Sequence, residues 1–396
     1  MPRSYASGVE RFDVIVVGAG PAGSLTAHLL AREGVRTLLV DRARFPRDKP
    51  CGGGVTLRGA RLLPFAIGPV VEERVTTIAF RHPDLGAFEH GGLAPVVLMT
   101  QRKRLDAFLA EQAALAGATF RDDTKVRELE SDGGGRPSVT FGDGSRASAD
   151  VLVAADGANG VCGRALDLGQ DRIFAPALEA NVAYDAVGAG VERHIALLEL
   201  GYIPGGYGWV FPKGDHANVG VGGWDAQGPY LRDHLRSVCA RHGIAWESLT
   251  ELRGHRLPMR GAGTRIARGR VLAVGDAAGL VDPLSGDGMY EAFTSAHVAS
   301  ASVRDVLAGR ASDLSAYPDR LEAALGRHTS LAWIAKAAIE RAPSVALRIA
   351  RSRAIKRRFL ERTATCRDPL TRSAPHPVWR RAENLARRLL GPDAAA

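Results

Sequence analysis

The stretch DVIVVGAGPAG, residues 13–23, joins a short apolar, β-branched run to three glycines spaced G-x-G-x-x-G. A run of that kind predicts a strand buried on both faces. The glycines divide the work at the turn that follows. Gly18 allows a tight bend, Gly20 lets the backbone approach a pyrophosphate, and Gly23 lets the next helix pack on the strand, with Ala22 in the first, phosphate-facing turn. The helix SLTAHLLAREG then offers its N-terminal N–H groups to the phosphates. A second strand, VRTLLVD, ends at Asp41. A carboxylate there holds a ribose 2′-OH and repels a 2′-phosphate.

Beyond Asp41 the regular alternation of a nicotinamide-binding fold stops. TLRGARLLPFAIGPVVEERVTTIAFRHP (56–83) reads as a helix and then strands, and RKRLD (102–106) opens the helix LDAFLAEQAALAGA. TKVRELE and SVTFGDG form a β-meander, and VLVAADGANG (151–160) is a further buried strand ending at Asp156 and Gly157. In RVLAVGDAAGLVDPLSGDGMYEAFTSA (270–296) a strand ends at Asp276, passes Pro283, Gly286 and Gly288, and gives way to a helix. Only one G-x-G-x-x-G is present, so no second nucleotide domain is expected.

Composition narrows the class. With 396 residues, 45% hydrophobic and 24% charged, the chain can bury a large core in two interleaved globular parts plus an appendage. Cys51, Cys162, Cys239 and Cys366 are too scattered for a disulfide framework or paired metal ligands. A reducing cytosol is the expected home and no metal is expected. MPRSYASGVERF carries no apolar leader core, and no run reaches the ~18 apolar residues of a membrane span. The net charge of +9 belongs to the C-terminus: residues 341–396 hold fourteen Lys/Arg against four acids, a net +10. In SVALRIARSRAIKRRFLERT (344–363), Val345, Ile349 and Leu360 lie among arginines. That pattern fits a basic amphipathic helix on an anionic membrane surface, or equally a solvated helical cap. No nucleic-acid-binding signature accompanies it.

The ordered set GAGPAG, R-x-x-L-D, ADGANG and VGDAAGLVDPLSGDG resembles the group 2 FAD-dependent oxidoreductases of the para-hydroxybenzoate hydroxylase fold over roughly residues 11–310. The resemblance implies FAD as cofactor. Asp41 would bind the adenosine ribose, the main chain at Val126 would lie by the adenine, and Arg102 would face the flavin side. Asp276 would bond the ribityl or pyrophosphate portion, and the backbone at Gly288 and Met289 would face the flavin N1 and O2 edge. A helix N-terminus there suits a reduced flavin, which is anionic at N1. Asp156 reads as a structural turn.

Two further stretches narrow the resemblance. RFPRDKPCGGGV (44–55) and YGWVFPKGDHANVGVGG (207–223) together resemble geranylgeranyl reductases, which saturate isoprenoid double bonds with reduced FAD. In that family the loop holding Cys51, Gly52 and Gly54 packs its backbone on the flavin, where a missing Cβ permits close approach. Asp287 departs from the family's more usual glutamate. Tyr207, Trp209 and Phe211 alternate along a strand and share a face, followed by Pro212. They read as the wall of a hydrocarbon pocket or as the core of a sheet. Lys213 and His216 would meet a diphosphate or lipid head group, or face solvent.

The fold expected is therefore α/β: a discontinuous Rossmann-like FAD-binding domain (1–68, 100–166, 264–310), an inserted antiparallel β-sheet substrate domain (69–99, 167–263) and a basic helical C-terminal region (311–396). The function expected is reduction of geranylgeranyl-type double bonds of a lipid, diphosphate or quinone. Cys51 is either the proton donor or a packed thiol. NADPH or a ferredoxin-like carrier brings the electrons. A monooxygenase or halogenase on the same scaffold is the alternative, although the halogenase-type W-x-W-x-I-P is absent; a non-catalytic prenyl carrier is another. The protein is expected in the cytoplasm, peripheral at the inner face of the membrane if the basic region binds there.

Overall fold

A computed structural model describes residues 9–131, 135–188, 191–261, 263–364, 368–371 and 377–390, with the side chains of 359–364 excepted. Cys366 and Leu360 fall outside what is described.

The first sheet runs in the order Ala267–Arg268, Val271–Ala273, Arg146–Ala154, Glu10–Val17, Thr37–Val40, Thr119–Arg121. The last five strands pair parallel, with Val14 opposite Val151 on one side and Thr37 on the other. Val14, Ile15 and Val16 are fully buried, as a strand covered on both faces requires. Helices Pro21–Ala31, Arg102–Leu115 and Met289–Leu307 pack together against this sheet. The meander forms as read: Val126–Glu130 pairs with Ser138–Phe141, which pairs with the outer half of Arg146–Ala154, all antiparallel.

The second sheet has seven strands in the order Thr250–Arg260, Arg172–Ala183, His216–Gly222, Tyr207–Lys213, Ile195–Leu200, Thr77–His82, Gly86–Gly91. It is antiparallel except where Ile195–Leu200 runs parallel to Thr77–His82. One face is closed by helix Leu231–Arg241, through Val182, Val210, Val219, Leu235 and Val238. The period of two along each strand turns Trp209, Gly220 and Glu179 to the opposite face, in direct register with one another. A third sheet, Gly54–Thr56, Val97–Thr100 and Val71–Val75, bridges the two.

The C-terminal region is helical but not one amphipathic rod. Residues 344–363 divide into helices Pro343–Ala350 and Arg353–Ala364. Leu347 is buried while Val345 and Ile349 are exposed. Helix Pro377–Leu390 packs along the long helix Tyr317–Arg341 and leaves Val378, Leu385 and Leu389 outside. No described helix is long and apolar enough to cross a membrane.

Candidate active site

The nucleotide turn is built by backbone. Gly18 adopts φ +109°, and a Cβ there would meet the carbonyl of Ala155, just past the end of the neighbouring strand. A Cβ at Gly23 would fall on the carbonyl of Gly18. Gly20 differs, because around its missing Cβ lie only two guanidinium tips, Arg47 Nη2 at 3.8 Å and Arg102 Nη2 at 4.0 Å. An opening over a helix start, flanked by two cations, fits a pyrophosphate. Ala22 packs against Gly275, so the turn abuts Asp276.

Asp41 follows strand Thr37–Val40 and accepts N–H groups from Ala19 and Ala43, both at 2.9 Å. Val126 lies two residues past Thr124, whose N–H donates to the Asp41 carbonyl, so that stretch runs beside Asp41. Arg102 is buried and donates to both oxygens of Asp106, at 2.7 and 2.6 Å. Burial opposes its charge, but Asp106 outweighs burial and holds it firmly protonated. Arg47 shares Asp106 at 2.6 Å.

At the far end Asp276 meets Lys49 Nζ at 2.7 Å and His255 Nε2 at 3.9 Å. Burial resists ionisation of Asp276, yet Lys49 and His255 hold its carboxyl well below the usual range. Gly288 begins helix Met289–Leu307, and a Cβ on it would stand 3.5 Å from Asp276 Oδ1. The N–H of Met289 is not free, because it donates to Asp287 Oδ1 at 2.8 Å. That aspartate folds back on its own helix start. Of the two expected backbone groups, only Gly288 is therefore left without that tie.

The thiol turn lies where two distant stretches meet. A Cβ on Gly52 would stand 2.9 Å from the Phe211 ring and 3.8 Å from Trp209 Nε1, so this glycine is required by the aromatic face itself. Gly53, not singled out from sequence, has φ +78° and fixes Thr100 through its carbonyl. Gly54 belongs to the bridging sheet, opposite Met99, rather than to the loop. The Cys51 N–H donates to Glu179 Oε1 at 2.7 Å, and Lys213 Nζ donates to the Cys51 carbonyl at 3.0 Å. Lys213 is thus buried and engaged instead of facing solvent or a head group. His216 pairs with Asp215 at 2.7 Å.

Tyr207, Trp209 and Phe211 do share a face, with ring centroids 6.0 and 6.1 Å apart. Tyr207 donates its hydroxyl to the Ser285 carbonyl in the loop before Gly288, and burial pushes its pKa up. Trp209 is 7% exposed and donates Nε1–H to Asn218 at 2.8 Å, while Phe211 packs towards Val75, Val96 and Met99. Pro212 is displaced from this group: with Gly208 and Val210 it lies on the face turned to helix Leu231–Arg241. The thiol turn is bordered by apolar rings on one side only. On its other side is a small charged cleft lined by Lys49, Arg102, Glu179, Lys213 and Arg253. Arg47, Lys49, Glu179 and His255 are not assigned from sequence; the signals available were the basic segment RFPRDKP and an acid, Glu179, in the mostly apolar strand RIFAPALEANVA.

Asp156 accepts the N–H of Cys162 at 2.9 Å, a structural turn as read. Beside helix Met289–Leu307, His328 of helix Tyr317–Arg341 lies 3.2 Å from Asp282 and 3.1 Å from Glu291, with Arg58 at 3.2 Å. Burial opposes the charge of His328, but its two carboxylate partners hold it protonated up to about 9. Burial pushes Glu291 up to about 7, whereas His328 and Ser285 overcome burial at Asp282 and hold it down to about 2.

The family model of the FAD binding domain matches residues 11–324. A menaquinone reductase of Mycolicibacterium smegmatis is 34% identical over 302 residues, 70% of this chain and 73% of that protein. A digeranylgeranylglycerophospholipid reductase of Methanocella arvoryzae is 30% identical over 335 residues, covering 80% and 84%. Among solved structures, a geranylgeranyl bacteriochlorophyll reductase-like protein of Thermoplasma acidophilum aligns with a TM-score of 0.76 and 22% identity over 98% of each chain.

Proposed function

This chain belongs to the FAD-binding domain family, in its geranylgeranyl reductase group, and is an FAD-dependent oxidoreductase; from that premise we propose that it saturates isoprenoid double bonds of a lipid, diphosphate or quinone. The observation that carries this reading is the contact of the Cys51–Gly52 turn with Trp209 and Phe211, on a sheet face whose Tyr207 reaches the loop before Gly288. A thiol, an aromatic surface and the cofactor helix thereby adjoin.

Gly18, Gly20, Ala22 and Gly23 would hold the pyrophosphate with Arg47 and Arg102 over it, and Asp41 would hold the adenosine ribose beside Val126. Asp276 and Gly288 would hold the ribityl end. When bound and reduced, FAD supplies a hydride to one alkene carbon. The chain must supply a proton to the other carbon; Cys51 would give it and be refilled from solvent through the charged cleft. The rings of Tyr207, Trp209 and Phe211 give the prenyl chain apolar area and face any positive charge that develops on carbon. The electrons come from NADPH or a ferredoxin-like carrier. The relatives named above act, by their names, on menaquinone and on a digeranylgeranyl phospholipid, substrates that share the repeating alkene.

Anaerobic turnover of dithionite-reduced protein with prenyl diphosphates, diether lipids and menaquinones, read by mass, tests the reading. Gains of two hydrogens support it; productive oxygen consumption instead would establish a monooxygenase or halogenase, and a colourless purified protein a carrier. Peripheral membrane contact through the basic C-terminal region is part of the same proposal. It is supported by Val345 and Ile349, exposed on helix Pro343–Ala350, and by Val378, Leu385 and Leu389, exposed on helix Pro377–Leu390 with its four arginines. Unaltered binding to anionic liposomes after truncation at residue 340 would refute it.

A further inference from the structure

We propose that Glu179 and Lys213 are positioning residues that clamp the Cys51 peptide from both sides and so fix where its thiol points. The turn cannot hold itself. Cys51 is followed by three glycines, and Gly53 is in the left-handed region, so its backbone is the most permissive in the neighbourhood. Gly53 and Gly54 are tied to the bridging sheet, but what restrains Cys51 comes from the substrate sheet. Glu179, on strand Arg172–Ala183, accepts a hydrogen bond from the Cys51 N–H at 2.7 Å; Lys213, ending strand Tyr207–Lys213, donates one to the Cys51 carbonyl at 3.0 Å. The donor and the acceptor of one residue are thus held by opposite charges.

Register explains why these two reach it. Glu179 stands opposite Gly220, which stands opposite Trp209, and Lys213 is four residues along from Trp209 on the same face. The surface that carries the rings therefore also carries the clamp. Both side chains are costly to bury. Lys213 is 5% exposed, and its burial is compensated by the Cys51 carbonyl and by the facing carboxylate. Burial pushes the Glu179 carboxyl up, with Lys213 and the Cys51 N–H pulling the other way. Within the turn, Gly53 N–H donates to Cys51 Sγ at 3.4 Å, so a shift of the clamped peptide moves the sulfur together with its donor. Reacting groups displaced by about 1 Å lose rate on the order of a hundredfold, which gives such a clamp its use in turnover. That use rests on the reductase reading; the placement of the thiol does not.

The test is the rate at which iodoacetamide alkylates Cys51 in the FAD-loaded protein, followed by peptide mass. Lys213→Met and Glu179→Leu release the turn and raise that rate about fivefold or more, since alkylation follows exposure of the sulfur. Lys213→Arg and Glu179→Gln, which keep a donor and an acceptor oxygen, stay near wild type. Should Lys213→Met fail to fold, Glu179→Leu, which brings no new polar group into the site, carries the test. Rates equal to wild type in a folded, flavin-loaded releasing variant overturn the clamp. In prenyl turnover, both releasing variants lower kcat about tenfold with KM unchanged, and add nothing in a Cys51→Ala background. Faster alkylation with unchanged turnover upholds the clamp and overturns Cys51 as proton donor.

Discussion

The bend at Gly18–Gly23 and the bend at Cys51–Gly54 are both short and rich in glycine, yet they are held by different means. The first is fixed by close backbone packing: Gly18 against the Ala155 carbonyl, Gly23 against Gly18. The second has a backbone anchor only at its far end, where Gly53 packs on Thr100 and Gly54 pairs with Met99; its Cys51–Gly52 end is fixed by side chains from more than a hundred residues away, Glu179, Trp209, Phe211 and Lys213. Backbone packing gives one shape that any ligand of the right class can use. Side-chain packing gives a shape that other parts of the molecule adjust, and reaction specificity belongs there.

The sharpest way to break this contrast is Gly18→Val. A side chain there meets both a forbidden φ and a neighbouring carbonyl, a cost of roughly 3 kcal/mol or more, so purified protein should contain no flavin by absorbance. Cys51→Ala, in contrast, leaves the first bend intact. It should purify yellow and lose turnover by about a hundredfold or more; full activity would remove the thiol from the reaction. A third arrangement, the buried His328–Asp282–Glu291 cluster, is read through pH. His328 is raised from 6.5 to about 9, so its contribution to stability is complete below pH 6.5 and lost as pH rises through about 9. Glu291, raised from 4.5 to about 7, loses its share as pH rises through about 7. Thermal denaturation should show stability falling between pH 6.5 and 9 by on the order of 2 kcal/mol, and His328→Gln should flatten that fall. The smallest effect is Trp209→Phe. It keeps the ring face but leaves Asn218 Oδ1 buried without its donor, costing about 1 kcal/mol in unfolding measurements while flavin content stays full.

The same contrast explains what could be read from the sequence. Strand Glu10–Val17, helix Pro21–Ala31 and the acid at Asp41 declare themselves because pattern, spacing and backbone demand all lie within about thirty residues. The alternation of Tyr207, Trp209 and Phe211 was equally local, and the strand formed as expected. What covers that face was not local. Gly52 reads as a position for close approach to a flavin, and only register adds that Phe211 also lies against it. Lys213 looked like a loop cation, and only the fold shows that it reaches the Cys51 carbonyl. Arg47 and Lys49 stood in a visibly basic segment, but their partners Asp106 and Asp276 lie far along the chain. The division of residues 344–363 into two helices was hidden because arginine and alanine favour helix on both sides of the break.

Helix Pro21–Ala31 is covered by helix Met289–Leu307, and the sheet beside it takes its strand Val271–Ala273 from the same late part of the chain. During synthesis, at about 5–20 residues per second, helix Pro21–Ala31 therefore waits on the order of tens of seconds before its covering helix leaves the ribosome. Until then its apolar face, with Leu25 and Leu30, is a greasy surface without its final shelter. Nascent chains halted before residue 289 should be captured by chaperones, and those released after it should not.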